Sequence, residues 1–198
     1  SSYYFFLFLL PVLLLFFSSA TFSSHYFQPQ TLAITHTMAL GWGTMIILGA
    51  SHQLVPVLIE NRLYSIKLAY LSFVLAATGI PLLVYGFYIF NMGWPAQWGG
   101  CFIVVSIFCY LVNLAGSIVK SKKENIQAVF VFTAALWLFL TAFLGLALVY
   151  NFTYTFFSRD SLACLPLHAH LGIIGWFLLL VTGVGSSLIP MFLISKIT

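Results

Sequence analysis

Charge is the scarcest property of this chain of 198 residues, since only 5% of its residues are Asp, Glu, Lys or Arg. Hydrophobic residues make up 62% and aromatic residues 18%. A chain with this composition cannot cover the surface of a water-soluble domain, so most of its surface must face lipid. We therefore predict an integral membrane protein with almost nothing outside the bilayer.

Acidic residues and paired cysteines are also nearly absent, which excludes several kinds of site. The only carboxylates, Glu60, Glu124 and Asp160, all fall in predicted loops, so neither an acid–base pair nor a proton relay is evident. The three cysteines have no paired spacing and no CxxCH pattern for covalent haem attachment. No Gly-rich phosphate loop precedes a predicted helix.

The apolar residues fall into six segments, each long enough to cross a bilayer, which takes roughly 20 apolar helical residues. These segments cover about 3–22, 31–59, 65–91, 96–119, 126–156 and 162–195. The first has none of the basic residues that begin a signal peptide, so we interpret it as a membrane helix. The prediction is an all-α polytopic protein with six transmembrane helices in a single membrane domain, 1–198.

The basic residues predict the orientation of these helices. Six of the seven lie beside the connections after helices two and four or after helix six, namely Arg62, Lys67, Lys120, Lys122, Lys123 and Lys196. Because short basic loops stay in the cytoplasm, both termini are predicted to be cytoplasmic. The net charge of +4 reflects these cytoplasmic basic residues, which face the anionic lipid of the inner leaflet. It does not indicate nucleic-acid binding.

The second and sixth segments contain two copies of one sequence. His36 begins the first copy, HTMALGWGTMIILGASHQLVPVLI, and His170 begins the second, HLGIIGWFLLLVTGVGSSLIPMFL. At an offset of 134 residues, both copies fit the pattern His-x4-Gly-Trp-x6-Gly-x4-Leu-x-Pro. The copies are four helices apart, so we predict a four-helix repeat in which helix two is equivalent to helix six and runs parallel to it.

A histidine is costly in hydrocarbon, so finding one twice at the same helical position suggests metal ligation. His36 shares a helical stripe with Gly43, whose missing side chain leaves room for a flat macrocycle. The simpler interpretation is that His36 only hydrogen-bonds near the helix start, while Gly43 serves close helix packing. We expect His36 and His170 to face a common interior.

The other histidines leave alternatives open. His168 lies roughly 200° around a regular helix from His170, so they share a face only if Pro166 leaves this segment extended. His170 or His168 is the second metal candidate, and His168 is alternatively a loop or interface residue. His52 lies roughly 24 Å deeper than His36 in a regular helix. We interpret His52 as a hydrogen-bonding residue at the membrane interface. The alternative is that His52 binds a second haem.

The pattern that begins at His36 resembles the second helix of the haem–copper oxidase subunit I superfamily. The nearest members are cbb-type oxidases and the membrane haem–copper proteins of the nitric-oxide response. That family has a core of three four-helix arcs, so the resemblance implies the N-terminal six helices of a longer protein or of an assembly with another chain. It also implies haem b with His36 as axial ligand and Gly43 beside it, and copper at His168 or His170.

The departures from the family limit what the resemblance implies. Helix six lacks the His–Pro–Glu–Val–Tyr pattern, no tyrosine follows His170, and the family's histidines of helices seven and ten have no counterpart before Thr198. Oxygen reduction by this chain alone is therefore not supported.

The sequence thus predicts a haem b protein in respiratory electron transfer or nitric-oxide-related gas chemistry, in a bacterial inner membrane. Its expected partners are lipid, other membrane helices or subunits, and a cytochrome or quinol donor. The alternative is a non-haem membrane transporter or a copper-delivery or assembly factor. There, His36 and His170 would hydrogen-bond between helices or bind copper.

Cysteine labelling tests the predicted orientation. After the native cysteines are replaced, a single cysteine at Lys122 should resist an impermeant thiol reagent in intact cells, because that loop is cytoplasmic. A single cysteine at Gln97 should react, because it lies in the predicted outer connection. The opposite labelling would reverse the orientation and move His36 to the inner leaflet.

Overall fold

The computed structural model describes residues 2–17, 25–121, 126–157 and 161–193, and the regular elements within these ranges are all helical. Helix α1 covers Ser2–Phe17. Helix α2 joins α-helical Pro29–His36, π-helical Thr37–Thr44 and α-helical Met45–Leu58. The next three helices are α3, Ile66–Tyr88, α4, Trp94–Val119, and α5, Ile126–Tyr154. Helix α6 joins Leu165–His170, π-helical Leu171–Leu178 and Leu179–Phe192, after a 3-10 turn at Ser161–Cys164.

Five of these helices, α2 to α6, are long and apolar enough to cross a membrane, with mean hydropathies between 1.4 and 2.3. The predicted all-α membrane architecture is confirmed at this level, with boundaries that differ from the predicted ones by a few residues. Helix α1 is shorter, so the sixth span stays a prediction. Residues 18–22 of that span lie outside the described residues, as do Lys122, Lys123, Arg159 and Lys196.

Local chemistry sets the ends of several helices. Helix α2 begins at Pro29, whose restricted φ suits a first helical turn. Helix α3 begins after Ser65, whose side chain accepts a hydrogen bond from the Leu68 N–H. Three helices are followed by a residue in the left-handed region, which stops a helix. These residues are Glu60, Phe90 and Thr155, with φ angles of 51°, 53° and 46°.

Helices α3 and α4 form the most extensive helix pair. A Cβ atom on Gly99 would lie only 2.8 Å from the Gly79 carbonyl oxygen and 2.5 Å from the Leu83 nitrogen. Elsewhere in the pair, the Ser72 hydroxyl donates to the Ser106 carbonyl over 2.9 Å, and the Ser106 hydroxyl donates to the Ser72 carbonyl over 2.6 Å. Lipid provides no hydrophobic force between helices, so this close approach and these bonds hold the pair together.

The remaining helices are arranged around this pair. Helix α5 packs on α4, α6 packs on α5, and the first part of α2 packs on α3. Helices α2 and α6 then face each other across a gap. The π-helical stretch of α2, Thr37–Thr44, corresponds to Leu171–Leu178 of α6 at the 134-residue offset, so both sequence copies show the same succession of helical geometry.

The close α3–α4 contact predicts a large effect of one added side chain. We expect Gly99→Val to lower the free energy of unfolding by about 1–3 kcal/mol, because its side chain would press on the α3 backbone. Thermal unfolding in detergent should show the loss as a lower midpoint.

Gly185→Ala is the matched control for this substitution. A Cβ on Gly185 would meet only Ile189 Cδ1, at 3.8 Å, so its midpoint should stay near that of the unaltered protein. Equal midpoints for Gly99→Val and Gly185→Ala would contradict the packing of α3 on α4.

Candidate functional site

A cavity of about 690 Å³ fills the gap between α2 and α6 and is walled on its other sides by α3, α4 and α5. Most of its lining is apolar, and its two ionisable residues are His36 and His168. Cofactor and small-molecule pockets are typically about 300–1,000 Å³, largely apolar, with a few placed polar groups. The gap therefore has the size and character of a cofactor pocket.

His36 ends the first α-helical stretch of α2, directly before the π-helical turns. Its Nδ1 lies 2.8 Å from the Leu32 carbonyl oxygen. Because a carbonyl can only accept, Nδ1 must carry the hydrogen and donate it. The lone pair of a neutral ring is then on Nε2, which has no hydrogen-bond partner within the described chain. An imidazole held by Nδ1–H and free at Nε2 is oriented as a metal ligand.

Aromatic packing holds the His36 ring from the side. The Phe87 ring of α3 meets it edge to face, with ring centroids 4.7 Å apart and planes 64° apart. Phe87 is 6% exposed and also lines the cavity. The ring of His36 is therefore positioned by its own helix and by α3 together.

Two glycines shape the space around the histidines. Gly43 lines the cavity, and a Cβ there would meet only the Met38 carbonyl oxygen, at 3.5 Å, so the missing side chain enlarges the cavity. Gly145 of α5 lies under the ring of His168, and a Cβ there would come within 2.8 Å of His168 Cε1. Any larger residue at position 145 would displace that ring.

The π-helical turns of α2 follow His36 directly and include Gly43. The Thr44 hydroxyl donates to the Ala39 carbonyl, five residues back, over 2.8 Å. Gly43 lines the cavity with His36, as the helical stripe predicts, and so does Ile47 in the following α-helical stretch. Such π-helical insertions are rare and occur often at functional sites. Here the irregular stretch lies beside the cavity in both α2 and α6.

The structure brings His36 together with His168, not with His170. The ring centroids of His36 and His168 are 6.3 Å apart and their planes differ by 22°. His170 is exposed and lies outside the cavity lining, and its Nδ1–H donates to the Pro166 carbonyl over 2.6 Å. The expectation that His36 and His170 face a common interior is therefore wrong.

The physical reason is the regular helix at the start of α6. Pro166 lies in the first turn of Leu165–His170, so this segment is helical and not extended. Residues two apart then point in widely different directions, and only one of the two histidines can face inward. The inward face of α6 carries His168, Gly172 and Trp176, and Trp176 is only 4% exposed.

His52 belongs to a separate polar cluster on α2 and α4. Its Nδ1–H donates to the Leu48 carbonyl over 2.7 Å, and its ring lies 5.2 Å from that of Tyr110. His52 Nε2 is buried without a hydrogen-bond partner, and the Tyr110 hydroxyl lies beside the Ser51 side chain. His52 lines neither the large cavity nor the neighbouring cavity of about 330 Å³, which lies between the C-terminal halves of α2 and α6.

The donor set fits a porphyrin iron better than a metal ion bound by protein alone. In the described ranges, no group of three His, Cys, Asp or Glu side chains is placed to hold a metal ion. An ion bound without a macrocycle usually takes three or four protein ligands. Haem iron takes one or two, because the porphyrin supplies the rest. His36, His168 and the glycine-lined space therefore suit haem.

No family model, curated protein or solved structure matches this chain. The functional assignment therefore depends on the residues of the site. Sequence reasoning missed Phe87, Gly145 and Gly172. Gly172 carried a signal, since it lies one turn after His168, whereas nothing in the sequence around Phe87 or Gly145 connects them to a histidine on another helix.

Proposed function

We propose that this chain is a haem b-binding integral membrane protein of the haem–copper oxidase subunit I type, with His36 as an axial ligand. One observation carries the proposal: the His36 ring is held through Nδ1, has a free Nε2, and forms part of the wall of a large apolar cavity. A structural histidine would need no such space beside it.

The chain's own residues would determine the environment of the haem. The hydrogen bond from His36 to the Leu32 carbonyl orients the imidazole and increases its basicity as a ligand. The apolar walls exclude water, and Gly43 leaves space next to His36. Haem bound there would supply one-electron redox chemistry, with a potential tuned by its axial ligands and by burial.

The proposed cellular setting follows from the resemblance and the helix pattern. The repeated succession of α and π stretches in α2 and α6 supports an architecture of equivalent arcs like that of subunit I. The protein would then lie in a bacterial inner membrane with both termini cytoplasmic, beside further helices or subunits. A cytochrome or quinol would donate electrons to it, and copper stays a second, weaker proposal.

The axial role of His36 predicts a loss of haem on substitution. We expect His36→Ala to remove most of the bound haem, because the iron loses an axial nitrogen fixed in place by α2. Absorbance at the Soret band relative to protein, after haem addition and gel filtration, measures this loss.

His25→Ala is the matched control for His36→Ala. His25 is exposed and does not line the cavity, so haem content should be unchanged. A folded His36→Ala protein with full haem content would disprove the assignment. An unaltered protein that stays colourless would favour the transporter or copper-delivery function.

We also expect one haem per chain. His52 lines neither of the two cavities described above, whereas His36 lines the larger one. The ratio of pyridine haemochrome to protein measures the stoichiometry, and a ratio of two that falls to one in His52→Ala would assign a second haem to His52.

A further inference from the structure

We propose that His168 is the second axial ligand of the same haem, so that imidazoles from α2 and α6 hold the iron from opposite sides. This inference depends on the proposed function, because it requires that the cavity binds haem at His36. It deepens that function by assigning the haem to electron transfer and not to gas binding.

The separation of the two rings carries the inference. A metal–imidazole nitrogen bond is about 2 Å long and the ring adds about 1 Å, so two imidazoles opposite each other on one iron have centroids roughly 6 Å apart. The observed separation of His36 and His168 is 6.3 Å, with planes only 22° apart. The two rings are nearly parallel, and no direct hydrogen bond joins the two residues.

The placement of His168 gives independent support. Its ring lies close to the Thr141 backbone of α5, and its Nδ1 makes no hydrogen bond of good geometry. In contrast, the Nδ1 atoms of His36, His52 and His170 all donate to a carbonyl four residues back. The Nδ1 of His168 is therefore not bonded to its own helix, and the residue lines the cavity together with His36.

The backbone around His168 is adapted to receive this ring. Gly145 of α5 provides the surface against which the ring lies, since a Cβ there would come within 2.8 Å of His168 Cε1. Gly172, one turn further along α6, also lines the cavity. A Cβ on Gly172 would lie 3.3 Å from Thr141 Cγ2, so this glycine lets α5 and α6 approach each other beside the His168 ring.

Two protein ligands have a chemical consequence for the site. With His36 and His168 both bound, the iron has no free axial position for oxygen, nitric oxide or carbon monoxide. Such a haem exchanges electrons but does not bind gases. It would also join α2 to α6, which otherwise face each other across the cavity.

The test compares the unaltered full chain with His168→Ala and His170→Ala, each loaded with haem b. His170 is the matched control, because it is two residues away, exposed and outside the cavity lining. Low-temperature electron paramagnetic resonance of the ferric protein, and carbon monoxide binding to the ferrous protein, report the axial ligands without any activity assay.

We expect low-spin signals and no carbon monoxide binding for the unaltered protein and for His170→Ala. His168→Ala should keep haem through His36 but lose the low-spin signals and bind carbon monoxide. Added imidazole should restore the low-spin signals of His168→Ala, because it can enter the vacated space. A purely structural role of His168 would not produce this rescue.

The other outcomes would disprove either the role of His168 or the proposed function itself. Low-spin signals that persist in His168→Ala, or that are lost in His170→Ala, would disprove the role of His168 and leave the haem at His36 intact. Loss of haem from His168→Ala that imidazole does not restore would also count against ligation. An unaltered protein that takes up copper but no haem would disprove the proposed function itself, and the inference with it.

Discussion

A ring nitrogen without a partner is costly among apolar membrane helices, and this cost bears most directly on the arrangement around His36. Its Nδ1 is satisfied within α2 by the Leu32 carbonyl. The other nitrogen, Nε2, has no partner within the described chain, and His36 lines the cavity between α2 and α6. Because hydrocarbon offers no water to complete the ring's bonding, the contents of the cavity and the position of the histidine are coupled.

Glycine serves two opposite purposes in this membrane domain. At Gly79 and Gly99 it allows α3 and α4 to approach until their backbones touch, which gives the bundle a closely packed centre. At Gly43 it leaves open space in the cavity, and at Gly145 it makes room for the His168 ring. The closely packed helices α3 and α4 also provide two walls of the cavity, so their packing supports the site.

Much of the site was accessible from the sequence, but one choice was not. The repeat singled out His36, and regular helical spacing connected it to Gly43, which does line the cavity. The same repeat pointed to His170, because equivalent positions in two copies suggest equivalent roles. That inference failed because α6 is turned so that His168, Gly172 and Trp176 face the bundle, whereas His170 faces outward.

The sequence by itself determined that the chain is helical and suited to a membrane, where its apolar segments lie, and that His36 is set beside a glycine. Composition and helical periodicity are enough for this, because a backbone in lipid can satisfy its hydrogen bonds in only a few ways. Only the tertiary structure decided which histidine meets His36. The rotation of α6 about its axis depends on contacts with α5, such as His168 on Gly145, between residues that are remote in sequence.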